Sequence, residues 1–129
     1  INSKSVSEYV ISSILFFEKN LLDCIQFKNN KNWMQWDIAK KNDTLENKII
    51  GIIGYGAIGK EIAKRAKSFN MKIYATRRLQ KKKISNSNID LLLPMKETNY
   101  ILKNSDYIVL SCPLTPKTYK LILSLQESL

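Results

Sequence analysis

The stretch KIIGIIGYGAIG, residues 48–59, decides the fold of this 129-residue chain. Its first half is rich in isoleucine, and such a β-branched run is typical of a strand buried on both faces of a parallel sheet. Its second half is a GxGxxG turn, after which Ile62, Ala63 and Ala66 recur at the spacing of one helix face. A strand, a glycine turn and a helix in immediate succession predict an α/β fold with a Rossmann-like, doubly wound parallel sheet.

The three glycines of the turn have separate roles in a dinucleotide-binding unit. Gly54 permits the tight turn, Gly56 lets a pyrophosphate approach the backbone, and Gly59 lets the helix pack closely on the sheet. Free amides around Ala57 and Ile58 then point at the phosphates from the positive end of the helix dipole. In the alternative interpretation, the glycines only make a compact strand-to-helix turn. The predicted cofactor-binding residues of this turn are Gly54, Tyr55, Gly56, Ala57, Ile58 and Gly59.

The end of the second predicted strand bears on the choice of cofactor. An NAD-binding unit carries an acidic residue there, roughly 20 positions after the glycines, whereas this sequence reads Thr76-Arg77-Arg78. An acid at this place repels the extra phosphate of NADP, and a guanidinium pairs with it bidentately. The sequence therefore favours NADP over NAD, with these three residues as cofactor-binding residues. The alternative is that both arginines belong to a solvated basic run with lysines 81–83.

Strand and helix patterns continue to alternate along the chain. Strands joined by helices imply right-handed crossovers and a parallel sheet. We therefore interpret residues 48–129 as a dinucleotide-binding domain. Its further predicted elements are a strand over 71–76, a basic loop over 77–83, a polar stretch through 85–88, a short helix around 96–102, a buried strand over 106–111 and a helix over 116–125.

The segment before this domain has a different character. Ser5 begins a capping-box pattern, Ser-Val-Ser-Glu, and the apolar residues that follow cover more than one narrow helix face. They predict one long helix over 1–28, buried on most sides, with a partner subunit covering part of it. Residues 29–47 lose the pattern and are interpreted as a connecting segment in which Trp33 and Trp36 are packing anchors.

Composition narrows the possible functions. The chain contains no histidine, which removes the commonest general base and metal ligand, and we predict no metal site. Its two cysteines are too few for a disulfide framework and indicate a reducing compartment and a cytoplasmic location. Its longest apolar stretch falls short of the ~20 residues that span a bilayer. The net charge of +10 is compatible with a nucleic-acid binder, but the lysines are scattered, so we expect no nucleic-acid partner.

Longer motifs around these residues resemble one family. The sequence from Leu45 through GYGAIG and the following helix into FNMKI, residues 69–73, is similar to the nucleotide-binding domain of the D-isomer-specific 2-hydroxyacid dehydrogenases. The stretch SDYIVLSCPLTPKT, residues 105–118, is similar to the fourth-strand signature of that family. The opening Ser-Val-Ser-Glu resembles the start of the family's long helix. Together these motifs cover most of the chain in the family's order and spacing.

The resemblance implies an oxidoreductase of the glyoxylate or hydroxypyruvate reductase type, a homodimer that transfers hydride between NAD(P)H and a 2-oxo or 2-hydroxy acid. It implies that Arg77 stands where NAD-using members carry Asp. Cys112, Pro113 and Thr118 are implied to lie along the cofactor toward the nicotinamide. We expect the family's catalytic Arg, Glu and His and the last strands of the sheet beyond Leu129, and the substrate lobe in segments before and after this one. The sheet is therefore expected to be incomplete and these residues alone to be inactive.

Two departures from the family pattern concern glycine positions. Asn47 and Asn70 stand where the family usually has glycine, and asparagine tolerates the left-handed backbone conformation better than most residues. We therefore expect the fold to be kept at both places. A second function is compatible with the same motifs, namely a dinucleotide-sensing protein without hydride transfer, like the co-repressors that resemble this family.

Overall fold

The computed structural model of the chain describes residues 2–128, apart from the side chains of residues 122, 125, 126 and 128. Within this range, five strands form one sheet, accompanied by six helices and a short 3-10 turn (Met95–Glu97). The strands are β1 (Ile49–Ile53), β2 (Lys72–Arg77), β3 (Ile84–Asn86), β4 (Ile89–Pro94) and β5 (Tyr107–Leu110). The helices are α1 (Ser3–Glu18), α2 (Leu21–Asn29), α3 (Gln35–Lys41), α4 (Ala57–Lys67), α5 (Thr98–Asn104) and α6 (Pro116–Ser128).

The strands are arranged in the order β3-β4-β2-β1-β5. β1 pairs in parallel with β2 on one side and with β5 on the other, while β2 pairs in parallel with β4 and β3 is antiparallel to β4. The chain therefore leaves β1 first toward β2 and later returns to its other side. Such a reversal opens a crevice beyond the carboxyl ends of the strands, where ligands bind in open parallel sheets. The predicted doubly wound α/β fold is confirmed.

Helices cover both faces of the sheet. On one face, α1 and α4 pack over β1 and β2, where Ile52, Ile62 and Ile73 are completely buried. On the other face, Ile101 of α5 packs in a second apolar cluster with Ile53. Because β1 is covered on both sides, its sequence is a run of isoleucine rather than an alternating pattern.

The long helix predicted over 1–28 is two helices, which corrects the sequence interpretation. The chain breaks at Asn20, whose φ of 49° is left-handed, a conformation that asparagine adopts more readily than most residues. The capping box predicted at Ser5 is also wrong. The cap is Asn2, whose Oδ1 accepts hydrogen bonds from the amides of Lys4 at 3.1 Å and Ser5 at 3.3 Å. The first helix is buried on one side only, since Phe17 is 71% exposed.

The connecting segment 29–47 contains a helix of its own, α3, which the sequence interpretation missed. Trp33 and Trp36 are 85% and 74% exposed, so they do not act as packing anchors within the described part of the chain. Trp33 lines a cavity of about 660 Å³ at the corner between α2 and α3. None of the helices over residues 2–128 is long and apolar enough to cross a membrane.

Strands β3 and β4 were not predicted. The sequence of β4, IDLLLP, carries a proline, which argues against a central strand. The structure places Pro94 at the very end of the strand, opposite Arg77, where a missing amide matters little. The strand predicted over 106–111 is present as β5, but it is an edge strand and half-buried rather than buried, because only one of its sides is paired within residues 2–128.

The two asparagines at family glycine positions keep the expected conformation. Asn47 has a φ of 63° and Asn70 a φ of 56°, both left-handed. The amide of Asn47 donates to the carbonyl of Asn70 at 2.9 Å, so the two turns support each other at the amino ends of β1 and β2. Both departures from the family pattern are therefore compatible with the fold.

Candidate dinucleotide-binding site

The glycine turn between β1 and α4 is tied to both strands that neighbour β1. The amides of Gly54 and Tyr55 donate to the carbonyl of Thr76, at the end of β2, at 3.1 and 2.8 Å. From the other side, Ser111 Oγ, just after β5, donates to the carbonyl of Gly54 at 2.7 Å. The turn is therefore held by the carboxyl ends of three adjacent strands, at the crevice where the sheet changes direction.

Two glycines of the turn leave no room for a side chain. Gly54 has a φ of 102°, and a Cβ there would lie 2.7 Å from the amide nitrogen of Cys112. A Cβ at Gly59 would lie 2.7 Å from the carbonyl oxygen of Gly54. The first position therefore requires glycine for its backbone conformation and for the approach of the loop after β5, and the second for the close packing of α4 against the turn.

Gly56 differs from the other two, because its surroundings are open. A Cβ built on it meets no atom within 4 Å. Gly56 is the N-cap of α4, and the first helical hydrogen bond runs from the Lys60 amide to its carbonyl at 3.0 Å. Over the described residues, the amides of Ala57, Ile58 and Gly59 donate to no protein acceptor. Unpaired amides at the positive end of a helix, beside open space, fit the pyrophosphate of a dinucleotide.

Arg77 and Arg78 lie at the same edge of the sheet. Arg77 is the last residue of β2 and directly follows Thr76. The carbonyl of Thr76 accepts the hydrogen bonds from the amides of the glycine turn. Both arginines are exposed, and neither forms an ion pair within residues 2–128. The lysines at 81–83 are exposed as well, so the basic run is solvated. The two guanidiniums are nevertheless set apart from the lysines by their place beside the glycine turn.

Thr76 and Tyr55 were predicted as cofactor-binding residues, and the structure turns both side chains inward. Thr76 is completely buried, and its hydroxyl contacts Met95 Sδ at 3.2 Å. Tyr55 is buried in the apolar core under α1 and α4, and burial raises the pKa of its phenol. At the glycine turn, Thr76 and Tyr55 therefore contribute backbone groups, while their side chains are buried in the protein.

The residues after β5 contribute a second wall of the crevice. Cys112 lies against Gly54 and is half-buried, while Pro113 is exposed. Thr118 Oγ1 donates to the carbonyl of Pro113 at 2.6 Å and accepts from the amide of Thr115 at 2.7 Å, and the Thr118 amide donates to Thr115 Oγ1 at 3.2 Å. Thr115 and Thr118 thus cap α6 reciprocally. The structure brings Cys112 to the glycine turn and gives Thr118 a role in shaping the loop.

Ser111 belongs to the site and was not among the predicted residues. Its hydroxyl holds the carbonyl of Gly54, and its amide donates to the carbonyl of Ile53 at 2.9 Å. The sequence feature that could have predicted Ser111 is its place as a small polar residue directly after a parallel strand, because such positions face the ligand crevice. No group of three potential metal-ligating side chains occurs within residues 2–128.

The opposite edge of the sheet, at the amino ends of the strands, carries an ion cluster built around the buried Glu18. The cluster consists of Glu18, Lys48, Asp43 and Tyr107, which we call the amino-edge cluster. Lys48 Nζ lies 2.6 Å from Glu18 Oε1 and 3.0 Å from Asp43 Oδ2, and the Tyr107 hydroxyl donates to Glu18. Every charge of this cluster has a partner, so it fastens α1 to the sheet and leaves nothing for a ligand.

The pKa values in the amino-edge cluster follow from this pairing. Burial raises the pKa of Tyr107 to about 12, and its hydrogen bond to Glu18 adds to the shift. Burial alone would raise the pKa of Glu18, but the hydrogen bonds from Lys48 and Tyr107 outweigh it and hold the pKa below its ordinary value. The hydrogen bond to Glu18 raises the pKa of Lys48 far above its ordinary value.

Comparison with known proteins identifies the family of the chain. The family model of the "D-isomer specific 2-hydroxyacid dehydrogenase, NAD binding domain" matches residues 11–126. The chain is 41% identical over 125 residues to a glyoxylate reductase of Pyrococcus furiosus and 30% identical over 125 residues to one of Thermococcus gammatolerans. Each of the two alignments covers 93% of this chain and 36% of the relative.

A solved structure shares both the fold and part of the sequence. The NAD-dependent formate dehydrogenase of Staphylococcus aureus in complex with NAD superimposes with a TM-score of 0.75 and 25% sequence identity. The match covers 91% of this chain and 34% of that enzyme, so the chain spans about a third of the length of the relatives it matches. With the family model matching most of its residues, the chain belongs to the D-isomer specific 2-hydroxyacid dehydrogenases as an NAD-binding domain.

Proposed function

We propose that this chain is the dinucleotide-binding part of an oxidoreductase that transfers hydride between NADPH and a 2-oxo or 2-hydroxy acid of the glyoxylate and hydroxypyruvate class. The observation that carries the proposal is the row of unpaired amides at Ala57, Ile58 and Gly59 beside the open space over Gly56. The substrate class is supported by the names of the relatives, several of which are glyoxylate reductases. When bound, the dinucleotide supplies the hydride.

The chain's own residues hold and orient the cofactor. The amides at the start of α4 would bind the pyrophosphate. The hydrogen bonds from the turn amides to the Thr76 carbonyl, and from the Ser111 hydroxyl to the Gly54 carbonyl, keep the turn in the conformation that exposes those amides. Cys112 and Pro113 line the crevice on the β5 side, toward the nicotinamide, and Thr118 fixes the Pro113 carbonyl.

NADP is the preferred cofactor in this proposal. Arg77 and Arg78 stand at the end of β2, where a carboxylate would accept the ribose hydroxyls of NAD. No acidic residue occurs between positions 62 and 89, whereas nine lysines and arginines do. A dianionic phosphate on the adenosine ribose therefore meets only positive charge from this segment.

Calorimetry of the 129-residue chain with NADPH and NADH tests the preference. We expect NADPH to bind roughly tenfold more tightly, which corresponds to about 1.4 kcal/mol. Arg77→Asp should abolish or reverse that ratio, because it places an acid beside the ribose. Lys83→Asp changes the net charge equally from an exposed position further along the loop and serves as the control. Tighter binding of NADH, or equal effects of the two variants, would contradict the assignment.

We further propose that the intact protein is a cytoplasmic homodimer. α1 and α2 present large apolar side chains to solvent, with Tyr9 at 74%, Phe17 at 71% and Leu22 at 53% exposure. Such a concentration of apolar surface favours association. The cytoplasmic location is supported by the two free thiols, Cys24 and Cys112. Sedimentation of the chain at micromolar concentration checks the assembly, and a monomer throughout that range is the result against it.

A further inference from the structure

We propose that Lys60, in the first turns of α4, is a third residue of the subsite that binds the 2′-phosphate of NADP, together with Arg77 and Arg78. The inference rests on the proposed preference for NADP and adds to it a residue on a different element. It follows from the orientation of α4 on the sheet and from the distribution of charge around its N-terminal end.

The orientation of α4 is set by an ion pair at its other end. Lys67 Nζ lies 3.4 Å from Asp90 Oδ2, which shows that this flank of the helix faces β4. Lys60 precedes Lys67 by seven residues, or about two turns, so it lies on the same flank, roughly 10 Å nearer the N-terminus. The opposite flank of α4 is directed at α1, since Arg65 Nη2 lies 3.5 Å from Glu8 Oε1.

The flank that carries Lys60 overlooks the end of β2. In the sheet, β2 lies between β1 and β4, so a flank directed at β4 lies on the β2 side of the helix. The N-terminus of α4 is at the carboxyl edge of the sheet, where the turn amides bond to Thr76. Helical side chains also lean toward the N-terminus. The Lys60 ammonium is therefore directed toward the edge at which Arg77 and Arg78 are exposed.

The charge around Lys60 is not neutralised by the protein. Lys60 is exposed and forms no ion pair within the described residues. The one acidic residue of α4, Glu61, is held by Arg65 at 2.5 Å. Lys67, on the same flank, has Asp90 as its partner. The Lys60 ammonium therefore has no counter-ion within residues 2–128, and neither do the guanidiniums of Arg77 and Arg78 at the edge toward which it is directed. Three such positive groups suit a dianionic phosphate.

Binding measurements on the 129-residue chain test this subsite. Lys60→Gln should weaken NADPH about fivefold, near the upper end of what an exposed ion pair contributes, and should leave the affinity for NADH within a factor of two. Lys64→Gln is the matched control, since Lys64 is an exposed lysine of the same helix one turn further from the edge. It should change neither affinity. Thermal melts of both variants verify that the fold is intact.

Each other outcome overturns the inference in a recognisable way. Equal weakening of NADPH and NADH by Lys60→Gln would place Lys60 at the pyrophosphate instead of the 2′-phosphate. No weakening, or weakening matched by Lys64→Gln, would leave Lys60 without a role in the subsite. If the unmodified chain binds NADH as tightly as NADPH, the proposed preference itself fails, and that result is seen before any Lys60 variant is compared.

Discussion

The two edges of the sheet use polar groups in opposite ways. At the amino edge, Glu18 is buried and bonded to Lys48 and Tyr107, and Asp106 Oδ2 accepts from the amide of Ile49 at 2.7 Å. At the carboxyl edge, the turn after β1 is held by the carbonyl of Thr76 and the hydroxyl of Ser111, and the amides at the start of α4 have no acceptor among the described residues. One edge satisfies its donors internally, while the other leaves the amides of Ala57, Ile58 and Gly59 without a protein acceptor among the described residues.

This difference separates what stabilises the domain from what binds. Carboxylates at the amino edge accept hydrogen bonds from Lys48, Tyr107 and the amide of Ile49, and they fasten α1 and the strand ends to each other. At the carboxyl edge, Gly54 and Gly59 leave no room for a side chain beside the backbone, and Gly56 alone faces open space. Substitutions at the two edges should therefore affect stability and binding in different proportions, and three substitutions, each with a matched control, test this.

The largest expected effect is that of Gly54→Ala. Its φ of 102° and the 2.7 Å distance from the added Cβ to the Cys112 amide nitrogen combine backbone strain with overpacking, together about 2–5 kcal/mol. For a domain of this size the melting temperature should fall by on the order of 10 °C. Thermal unfolding followed by circular dichroism measures it, with dinucleotide binding lost in parallel.

Gly56→Ala is the matched comparison at the same turn. Its φ of −96° is accessible to alanine, and the added Cβ meets no atom of the chain within 4 Å. The melting temperature should stay within a few degrees, while the affinity for NADPH falls at least tenfold, because the methyl group enters the phosphate space. Equal melting temperatures for the two variants would show that Gly54 is not the constrained position.

At the amino edge, Glu18→Gln should destabilise the domain by about 1–3 kcal/mol at pH 7, since it leaves Lys48 without its buried partner. The pKa of Glu18 is lowered by folding, so its contribution is present above the unfolded-state pKa and is lost as pH falls through the folded-state value. The deficit of the variant should therefore shrink below about pH 4. Urea unfolding of the variant and of the unmodified chain, at pH 7 and at pH 3.5, measures the difference in their free energy of unfolding at each pH.

The control for Glu18→Gln is Asp43→Asn, which removes the exposed partner of the same lysine. The Asp43 side chain is 67% exposed, so its variant should change stability little. Dinucleotide affinity should be unchanged in both variants, because the cluster lies at the far edge of the sheet. A loss of affinity without a loss of stability would break the separation of the two edges.

Tyr107→Phe is expected to have the smallest effect, about 1 kcal/mol at pH 7, from the lost hydrogen bond to Glu18. Folding raises the pKa of Tyr107 to about 12, so this contribution is present below about pH 10 and is lost as pH rises through 12. The difference in the free energy of unfolding between Tyr107→Phe and the unmodified chain should therefore diminish between pH 10 and 12. Tyr74→Phe, whose hydroxyl forms no hydrogen bond within the described residues, should show no such trend.

The predictions from sequence succeeded where local patterns are strong. β1, the glycine turn and α4 were predicted because isoleucine runs and glycine spacing act over a few residues. β4 was missed because its leucines suit a helix as well as a strand, and only pairing with β2 decides between them. The break at Asn20 was missed because the apolar pattern continues across it.

The sequence by itself determined the strand, the glycine turn, the helix and the family, since the positive φ of Gly54 and the contact of Gly59 with the Gly54 carbonyl act within a few residues of chain. Only the tertiary structure decided which hydrogen-bonding groups are paired within the protein and which are not. Thr76 offers its carbonyl and not its hydroxyl, and Glu18 is paired with a tyrosine 89 residues away. Partners so distant in sequence are brought together by the sheet, and the same packing leaves the amides after Gly56 without a protein acceptor among the described residues.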